Sequence, residues 1–196
     1  KTFQSYWNNP EFELYEKTQY HKLDQALRQS QFTRRDDEDI VNFFDLKPYH
    51  FQKEILEKLR VERNIHKSFR NLIVAATGTG KTMIAAFDFK QFYQENPFCT
   101  FLFIAHRIEI VKQARRTFRN VLKNQNFGEL MGDGYQPSQK NVLFTTIQTL
   151  NNLQLGNEFT PAYFDYIIFD EVHHAQAQSY QKIITYFNPK ILLGLT

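Results

Sequence analysis

Residues 75–82 form a glycine-rich segment that ends in a lysine and a threonine, Ala-Ala-Thr-Gly-Thr-Gly-Lys-Thr. Gly78 and Gly80 permit backbone torsions that let successive N–H groups point at phosphate oxygens. Where such a segment opens a helix, the helix N-terminus adds partial positive charge. Lys81 would reach the β- and γ-phosphates of a nucleotide, and the Thr82 hydroxyl would bind Mg²⁺. The predicted nucleotide-binding residues in this segment are Thr77, Gly78, Thr79, Gly80, Lys81 and Thr82.

Two adjacent carboxylates, Asp170 and Glu171, follow an apolar run at residues 166–169. A carboxylate at the end of a strand can hold Mg²⁺ directly or through water, and a neighbouring carboxylate can orient an attacking water molecule. We therefore assign Asp170 to the metal, together with Thr82, and Glu171 to the water. With Lys81 facing the phosphates, these carboxylates complete a predicted catalytic set for nucleotide hydrolysis.

A pair of histidines, His173 and His174, comes directly after these carboxylates. Hydrogen bonds from either imidazole could couple the nucleotide site to the rest of the molecule. The alternative is a zinc site, which the sequence disfavours because adjacent residues rarely ligate one ion and no cysteine lies near. We therefore assign both histidines to coupling.

The motifs follow short apolar runs that are typical of buried strands. Strands are predicted at residues 72–75, 100–105, 142–145, 166–169 and 191–195. Helices are predicted at residues 48–64, 81–94, 108–122 and 179–187. This alternation predicts an α/β fold with a mostly parallel sheet covered by helices on both faces. Ligands of such sheets bind beyond the carboxyl ends of the strands, which is where the unusual residues of this sequence lie.

The composition excludes several classes of protein. Hydrophobic residues make up 42% of the 196 residues, so a packed core is expected and wholesale disorder is not. The longest apolar runs fall far short of the roughly 20 residues of a membrane helix, so no membrane partner is expected. A single cysteine, Cys99, excludes an internal disulfide framework and any multi-cysteine zinc site. A reducing, cytoplasmic setting fits this composition.

Charge is unevenly distributed along the chain. Residues 1–45 contain six Lys and Arg against nine Asp and Glu, whereas residues 46–196 contain 18 against 12. The second part therefore carries a net charge of +6. A basic body behind an acidic leader is compatible with a polyanionic partner.

The glycine-rich segment and residues 170–174 resemble motifs I and II of superfamily 2 helicases and translocases of the DExH type. Ala75 stands where the strict phosphate-loop pattern has glycine, and alanine is usual there in helicases. Four further segments resemble motifs of this family and occur in the same order along the chain. Residues 46–52 resemble the Q motif, residues 105–109 motif Ia, residues 145–150 motif Ib and residues 193–196 the start of motif III. The chain most resembles the helicase-subunit group of type III restriction enzymes, and in particular bacterial helicases that carry a phospholipase-D-like nuclease domain.

The resemblance implies a RecA-like P-loop ATPase domain of a DNA helicase or translocase, which couples Mg-ATP hydrolysis to movement on DNA. It assigns Gln52 of the Q motif to the adenine, although the family's glutamine often lies two residues after the proline, where this chain has His50. It assigns Thr196, in motif III, to coupling. An ATP-gated nucleic-acid clamp, an RNA remodeller and a nucleotide switch that binds no nucleic acid are the alternatives.

The resemblance also predicts contacts to the DNA phosphate backbone that do not read sequence. Hydroxyls, backbone amides and an arginine at strand ends suit such contacts. β-Propensity alone is the alternative explanation for two adjacent threonines, and a solvated helix face is the favoured explanation for the arginines within residues 115–119. The predicted nucleic-acid residues are Arg107, Thr145, Thr146 and Gln148.

The resemblance covers residues 46–196, which we interpret as the first RecA-like domain, ending within motif III. Residues 1–45 are interpreted as a helical connector with a helix at residues 11–29. Because the sequence stops within a motif, the natural protein is expected to be longer. The family implies a second RecA-like domain, which supplies an arginine finger, and the most similar subgroup implies a nuclease domain.

Overall fold

The computed structural model describes residues 46–172 and 178–196. Two parts of the sequence interpretation fall outside these residues. One is the helical connector at residues 1–45, and the other is the histidine pair His173 and His174. Both stay predictions. Among the residues that the structure describes, no helix is long and apolar enough to cross a membrane.

In the described part of the chain, six strands form a single parallel sheet in the order β1-β6-β5-β2-β4-β3. The central strands β2 and β5 are buried at every position, as continuous apolar runs predict for a sheet covered on both faces. The predicted α/β fold with a mostly parallel sheet is confirmed. The strands are β1 (Arg70–Ile73), β2 (Phe101–Ala105), β3 (Glu129–Met131), β4 (Val142–Thr146), β5 (Tyr166–Phe169) and β6 (Ile191–Leu195).

Helices cover both faces of this sheet. Successive side chains of a strand point to opposite faces, so neighbouring residues of one strand pack against different helices. Phe101 and Phe103 of β2 pack with the first three helices, whereas Leu102 and Ile104 pack with the last three. The described helices are α1 (His50–Asn64), α2 (Lys81–Glu95), α3 (Ile108–Leu122), α4 (Ile147–Asn152), α5 (Leu155–Glu158) and α6 (Gln178–Tyr186).

Aromatic side chains fill the core on the face of α2 and α3. The ring of Phe89, on α2, lies with its centroid 4.4 Å from that of Phe101 and 5.9 Å from that of Phe118. Tyr166 packs edge-on against Phe89 at 5.2 Å. Such tilted and edge-on pairs are the favoured arrangements of aromatic rings. This cluster fixes α2 and α3 against the central strands.

The register of the sheet brings the carboxyl ends of its strands to one edge, called the carboxyl edge here. Ala105 pairs with Thr146, and Phe169 pairs with Gly194. Ile73 pairs with Leu195 at the end of β1. The segments that follow β1, β2, β4, β5 and β6 therefore all start at the carboxyl edge. Except for the Q motif at residues 46–52, which precedes β1, the motifs singled out in the sequence lie at the ends of these strands or in these segments.

Candidate nucleotide-binding and catalytic site

The glycine-rich segment forms a loop between β1 and α2, which begins at Lys81. Gly78 has a φ of +83° and Gly80 a φ of +78°, in the left-handed region that favours glycine. A Cβ at Gly80 would also lie 2.9 Å from Nε2 of Gln52. The loop therefore requires glycine at this position, and it ends at a helix N-terminus whose N–H groups favour an anion.

Lys81 is held against the loop that precedes it. Its Nζ donates to the carbonyl oxygen of Ala75 at 2.9 Å and to that of Ala76 at 3.4 Å. The Thr79 hydroxyl also donates to the carbonyl oxygen of Ala76, at 2.7 Å. These bonds place the ammonium group of Lys81 beside the backbone that the sequence predicts to bind phosphates.

The loop borders a cleft of about 620 Å³ at the carboxyl edge. The end of β5 and the end of β6 contribute further walls. Helix α3 also contributes polar groups, from Gln113 and Thr117, which are not predicted from the sequence. In sequence, these two residues are indistinguishable from any other polar positions on an amphipathic helix. The cleft is lined by Ala75, Ala76, Thr77, Gly78, Gly80, Lys81, Thr82, Ile110, Gln113, Ala114, Thr117, Asp170, Glu171 and Thr196.

Gln52 joins the start of α1 to the phosphate loop. Its side chain is 3% exposed, and its Nε2 donates to the carbonyl oxygen of Thr79 at 3.2 Å. Its Oε1 accepts from the backbone N–H of Tyr49 at 3.0 Å. A side-chain amide has two N–H groups and an oxygen with two lone pairs. These two bonds therefore leave one N–H and one lone pair of Gln52 for further partners. The predicted adenine contact of Gln52 stays a prediction.

Two neighbouring carboxylates at the end of β5 have different surroundings. Asp170 is 6% exposed. Burial raises the pKa of Asp170 above its ordinary value, and the negative charge of Glu171 raises it further, whereas the N–H of Glu171 and the charge of Lys81 act in the opposite direction. Glu171 is about one-third exposed and lines the cleft. Its side chain also contacts His106.

The oxygen groups of the cleft fit a magnesium ion. Burial disfavours the ionised form of the Asp170 carboxyl group. A cation beside this group would offset that cost. The Thr82 hydroxyl and Asp170 line the same cleft, and Mg²⁺ prefers a few protein oxygens together with phosphates and water. Within residues 46–172 and 178–196, no cluster of three or more His, Cys, Asp or Glu side chains could hold a metal by itself.

The predicted nucleic-acid residues divide into exposed and buried ones. Arg107, at the start of α3, and Gln148, on α4, are exposed. Thr145 is fully buried, and its hydroxyl donates to the carbonyl oxygen of Met131 at 2.9 Å. Thr146 is 5% exposed, and its hydroxyl accepts from the backbone N–H of Thr149 at the start of α4. The phosphate contacts predicted for all four residues stay predictions.

A turn after β3 lies beside the start of α4. Gly132 packs so closely on Thr149 that a Cβ would come within 2.0 Å of the threonine hydroxyl. The next residues lead to Tyr135, which is 39% exposed. The ammonium group of Lys112 lies 5.1 Å from the centre of the Tyr135 ring. This turn is not predicted from the sequence, because the short strand β3 that precedes it is not predicted either.

Thr196 lies beside the phosphate loop at the end of β6. Its backbone N–H donates to the carbonyl oxygen of Ile73, and its carbonyl oxygen accepts from the N–H of Ala75, each at 3.0 Å. The structure therefore brings Thr196 into the cleft with Lys81 and Glu171. Its coupling role stays a prediction.

Comparison with known families decides what kind of domain this is. The profile of the family described as type III restriction enzyme, res subunit, matches residues 45–196. The chain belongs to this family. The predicted resemblance to superfamily 2 helicases is therefore confirmed, and the matched residues form the first RecA-like motor domain of the helicase and translocase family.

Similar proteins include helicases and a SWI2/SNF2 ATPase. The chain is 30% identical over 158 residues to a putative mitochondrial ATP-dependent helicase, irc3, of Schizosaccharomyces pombe, and the match covers 78% of this chain and 25% of the relative. It is similar in fold to the UvsW helicase of bacteriophage T4, with a TM-score of 0.64 and 21% identity over 87% of this chain and 59% of that one. The ATPase core of a Sulfolobus solfataricus SWI2/SNF2 protein in complex with double-stranded DNA gives a TM-score of 0.63 and 15% identity, over 82% of this chain and 34% of that one.

Proposed function

We propose that this domain hydrolyses Mg-ATP as the motor of a DNA helicase or translocase. The observation that carries the proposal is the meeting of three chain segments in one cleft. The phosphate loop brings Lys81, the end of β5 brings Asp170 and Glu171, and the end of β6 brings Thr196. Family membership supports the same activity.

Each of the polar residues in the cleft has a separate proposed role in hydrolysis. Lys81 and the N–H groups of the loop bind the β- and γ-phosphates. Thr82 and Asp170 would hold Mg²⁺, which supplies positive charge to offset that of the transferring phosphoryl group. Glu171 orients the attacking water for in-line displacement.

The base of the nucleotide is proposed to lie near the start of α1. Gln52 retains one N–H and one lone pair for the adenine edge. The rings of Tyr49 and Phe51 are 56% and 44% exposed and stack at 6.2 Å with nearly parallel planes. An exposed aromatic ring at this end of the loop offers a stacking surface for a base.

DNA is the proposed track, bound through its phosphates. Residues 46–196 carry a net charge of +6, and Arg107 and Gln148 are exposed after β2 and β4. We further propose that a second RecA-like domain and a nuclease domain belong to the full-length protein. The irc3 relative is described as mitochondrial, whereas for this chain we propose the cytoplasm.

Lys81→Ala tests the nucleotide site. Removing the cation that faces the phosphates eliminates charge-assisted hydrogen bonds worth roughly 1.5–3 kcal/mol each, so ATP affinity should fall about tenfold or more. Calorimetry measures this, with Lys182→Ala, an exposed lysine on α6, as the matched control. Wild-type affinity in Lys81→Ala would contradict the assignment of the loop.

The nature of the track is tested by ATPase stimulation. The ATPase rate of the full-length protein is measured with duplex DNA, with single-stranded DNA and with RNA, each at the same nucleotide concentration. Stimulation by either form of DNA, and by RNA to a lesser extent, supports the proposal. Stimulation by RNA alone would favour an RNA remodeller, and no stimulation by any nucleic acid would favour a nucleotide switch.

A further inference from the structure

His106 lies directly opposite Glu171 across two neighbouring strands. It is the first residue after β2, and β2 pairs in parallel with β5, with Ile104 opposite Phe169. The N–H of Asp170 donates to the carbonyl oxygen of Ile104 at 2.8 Å, which fixes the two strand ends to each other. The side chains that meet just beyond this bond are His106 and Glu171.

These two side chains touch through one atom each. Nδ1 of His106 contacts Oε2 of Glu171. Both atoms are closed to solvent, although the side chains as a whole are 27% and 32% exposed. A carboxylate oxygen only accepts, so the contact requires the proton of the imidazole on Nδ1. One of the two carboxylate oxygens of Glu171 is therefore taken by His106.

The backbone of Glu171 shows that its position is held by its surroundings. Its φ is +56°, in the left-handed region that is unfavourable for a residue with a Cβ. Such a conformation persists where neighbouring contacts impose it. Two contacts do so here: the Glu171 N–H donates to Oδ1 of Asp170 at 2.9 Å, and His106 meets the carboxylate.

We propose that His106 is the positioning residue of Glu171. It holds Oε2, so that the remaining oxygen, Oε1, is the one that orients the attacking water. The inference rests on the proposed function, in which Glu171 acts on that water. His106 itself does not line the cleft, so it acts on hydrolysis through Glu171 and has no part in nucleotide binding. The role of His106 differs from the phosphate-backbone contacts predicted for the rest of its motif.

The test compares His106→Ala and His106→Asn in the full-length protein. His106→Ala should lower kcat about tenfold or more, because a small displacement of a water-orienting group has a large effect on rate. The KM for ATP and the ATP affinity should stay within about twofold of wild type, since only a step after binding is affected. His106→Asn should restore most of kcat, because its side-chain amide presents an N–H donor close to the position of Nδ1. His66→Ala, an exposed histidine after α1, is the matched control.

A double-mutant cycle tests whether His106 acts through Glu171. In a Glu171→Gln background, measured under single-turnover conditions, His106→Ala should have little additional effect on the rate, because coupled residues are not additive. Wild-type kcat in His106→Ala would overturn the inference. An equal loss with and without Glu171 would overturn it too, and so would a failure of His106→Asn to restore activity. Failure of the proposed function would look different, as the absence of ATP hydrolysis in the wild type itself.

Discussion

Asp170 and Glu171 are adjacent residues with separate environments, and this difference argues for separate roles. Asp170 is buried against the sheet, where burial raises its pKa and a bound cation would favour its ionised form. Glu171 is one-third exposed at the wall of the cleft. A buried carboxylate suits a metal, and an accessible one suits a water molecule.

Glu171→Gln should therefore separate binding from hydrolysis. Glutamine has the same shape but no negative charge, so it orients the attacking water poorly. ATP affinity should persist, while turnover falls by roughly 10²–10⁴, the usual contribution of general acid–base catalysis. Calorimetry and steady-state ATPase of the full-length protein measure the two quantities. Turnover near that of the wild type would mean that another group orients the water.

Cys99 offers a prediction that depends on pH. The thiol is buried, and burial together with the negative charge of Asp165 raises its pKa to about 11. The reactive thiolate is therefore scarce in the folded protein at about pH 8, whereas an unfolded cysteine ionises near 8.5. Iodoacetamide should label Cys99 slowly in the native protein and quickly in urea, with the native rate rising as the pH approaches 11. Equal labelling rates in the folded and unfolded protein would contradict the burial.

At the scale of elements, the apolar pattern predicts the centre of the sheet better than its margins. The strand predicted at residues 72–75 lies at Arg70–Ile73 instead. β1 is an edge strand that pairs Arg70 with Leu192, so polar residues enter it without an apolar signal. β3 has three residues, α4 has six and α5 has four, so none of them is long enough to show a clear periodicity in the sequence.

The site shows the same division between what the sequence contains and what the fold adds. Loop residues next to strands are predictable, because glycine, lysine and acidic residues have specific chemistry at strand ends. The contact of His106 with Glu171 is not predictable, because it depends on the order of the strands in the sheet. The cleft wall formed by Gln113 and Thr117 is not predictable either, because it depends on the rotation of α3 about its axis. The sequence also does not show that Thr145 and Thr146 are buried, with hydroxyls that bond within the domain. Their predicted phosphate contacts stay a prediction.

A buried ion pair joins α1 to α2 away from the cleft, near the amino end of β6. Arg63 donates from both terminal nitrogens to the carboxylate of Asp88, each at 2.8 Å. The two side chains are only 10% and 4% exposed. The Tyr166 hydroxyl donates to the same carboxylate. A cavity of about 590 Å³ adjoins this pair, but its buried charges are bonded to each other, which indicates a structural role.

Arg63→Met should lower the free energy of unfolding by about 3–5 kcal/mol, because it leaves the carboxylate of Asp88 buried without its cation. The matched control is Arg60→Met, which breaks the exposed pair of Arg60 with Glu57, 3.3 Å apart. That variant should change stability by about 1 kcal/mol or less. Urea denaturation measures both values. Similar small effects in the two variants would show that Asp88 is compensated by other groups.

For the whole molecule, charge and architecture together limit what one motor domain can do. The chain covers a quarter of the length of the irc3 relative, and the matched family residues form one RecA-like domain. Arg107 and Gln148, the residues proposed to contact phosphates, are exposed after β2 and β4 at the carboxyl edge. Within the family, the second RecA-like domain is expected to bind the remainder of the strand and to supply the arginine finger.

Residues 1–196 by themselves should therefore bind ATP but hydrolyse it slowly, with little stimulation by DNA. An arginine finger contributes about 10³–10⁵ in rate, and residues 1–196 would lack it if it belongs to the second domain. DNA binding should also be weak, since one RecA-like domain neutralises fewer DNA phosphates than two domains would. The logarithm of the affinity should fall with the logarithm of the salt concentration at a slope of about −0.9 per phosphate contacted on duplex DNA.

Two measurements on residues 1–196 check this expectation. Calorimetry gives the ATP affinity, and fluorescence anisotropy over a salt series gives the number of phosphates contacted. The control is the full-length protein, for which a steeper salt dependence and a large stimulation by DNA are expected. Robust DNA-stimulated hydrolysis by residues 1–196 alone would contradict the expectation. It would mean that a group within this chain, or a second copy of it, completes the catalytic site.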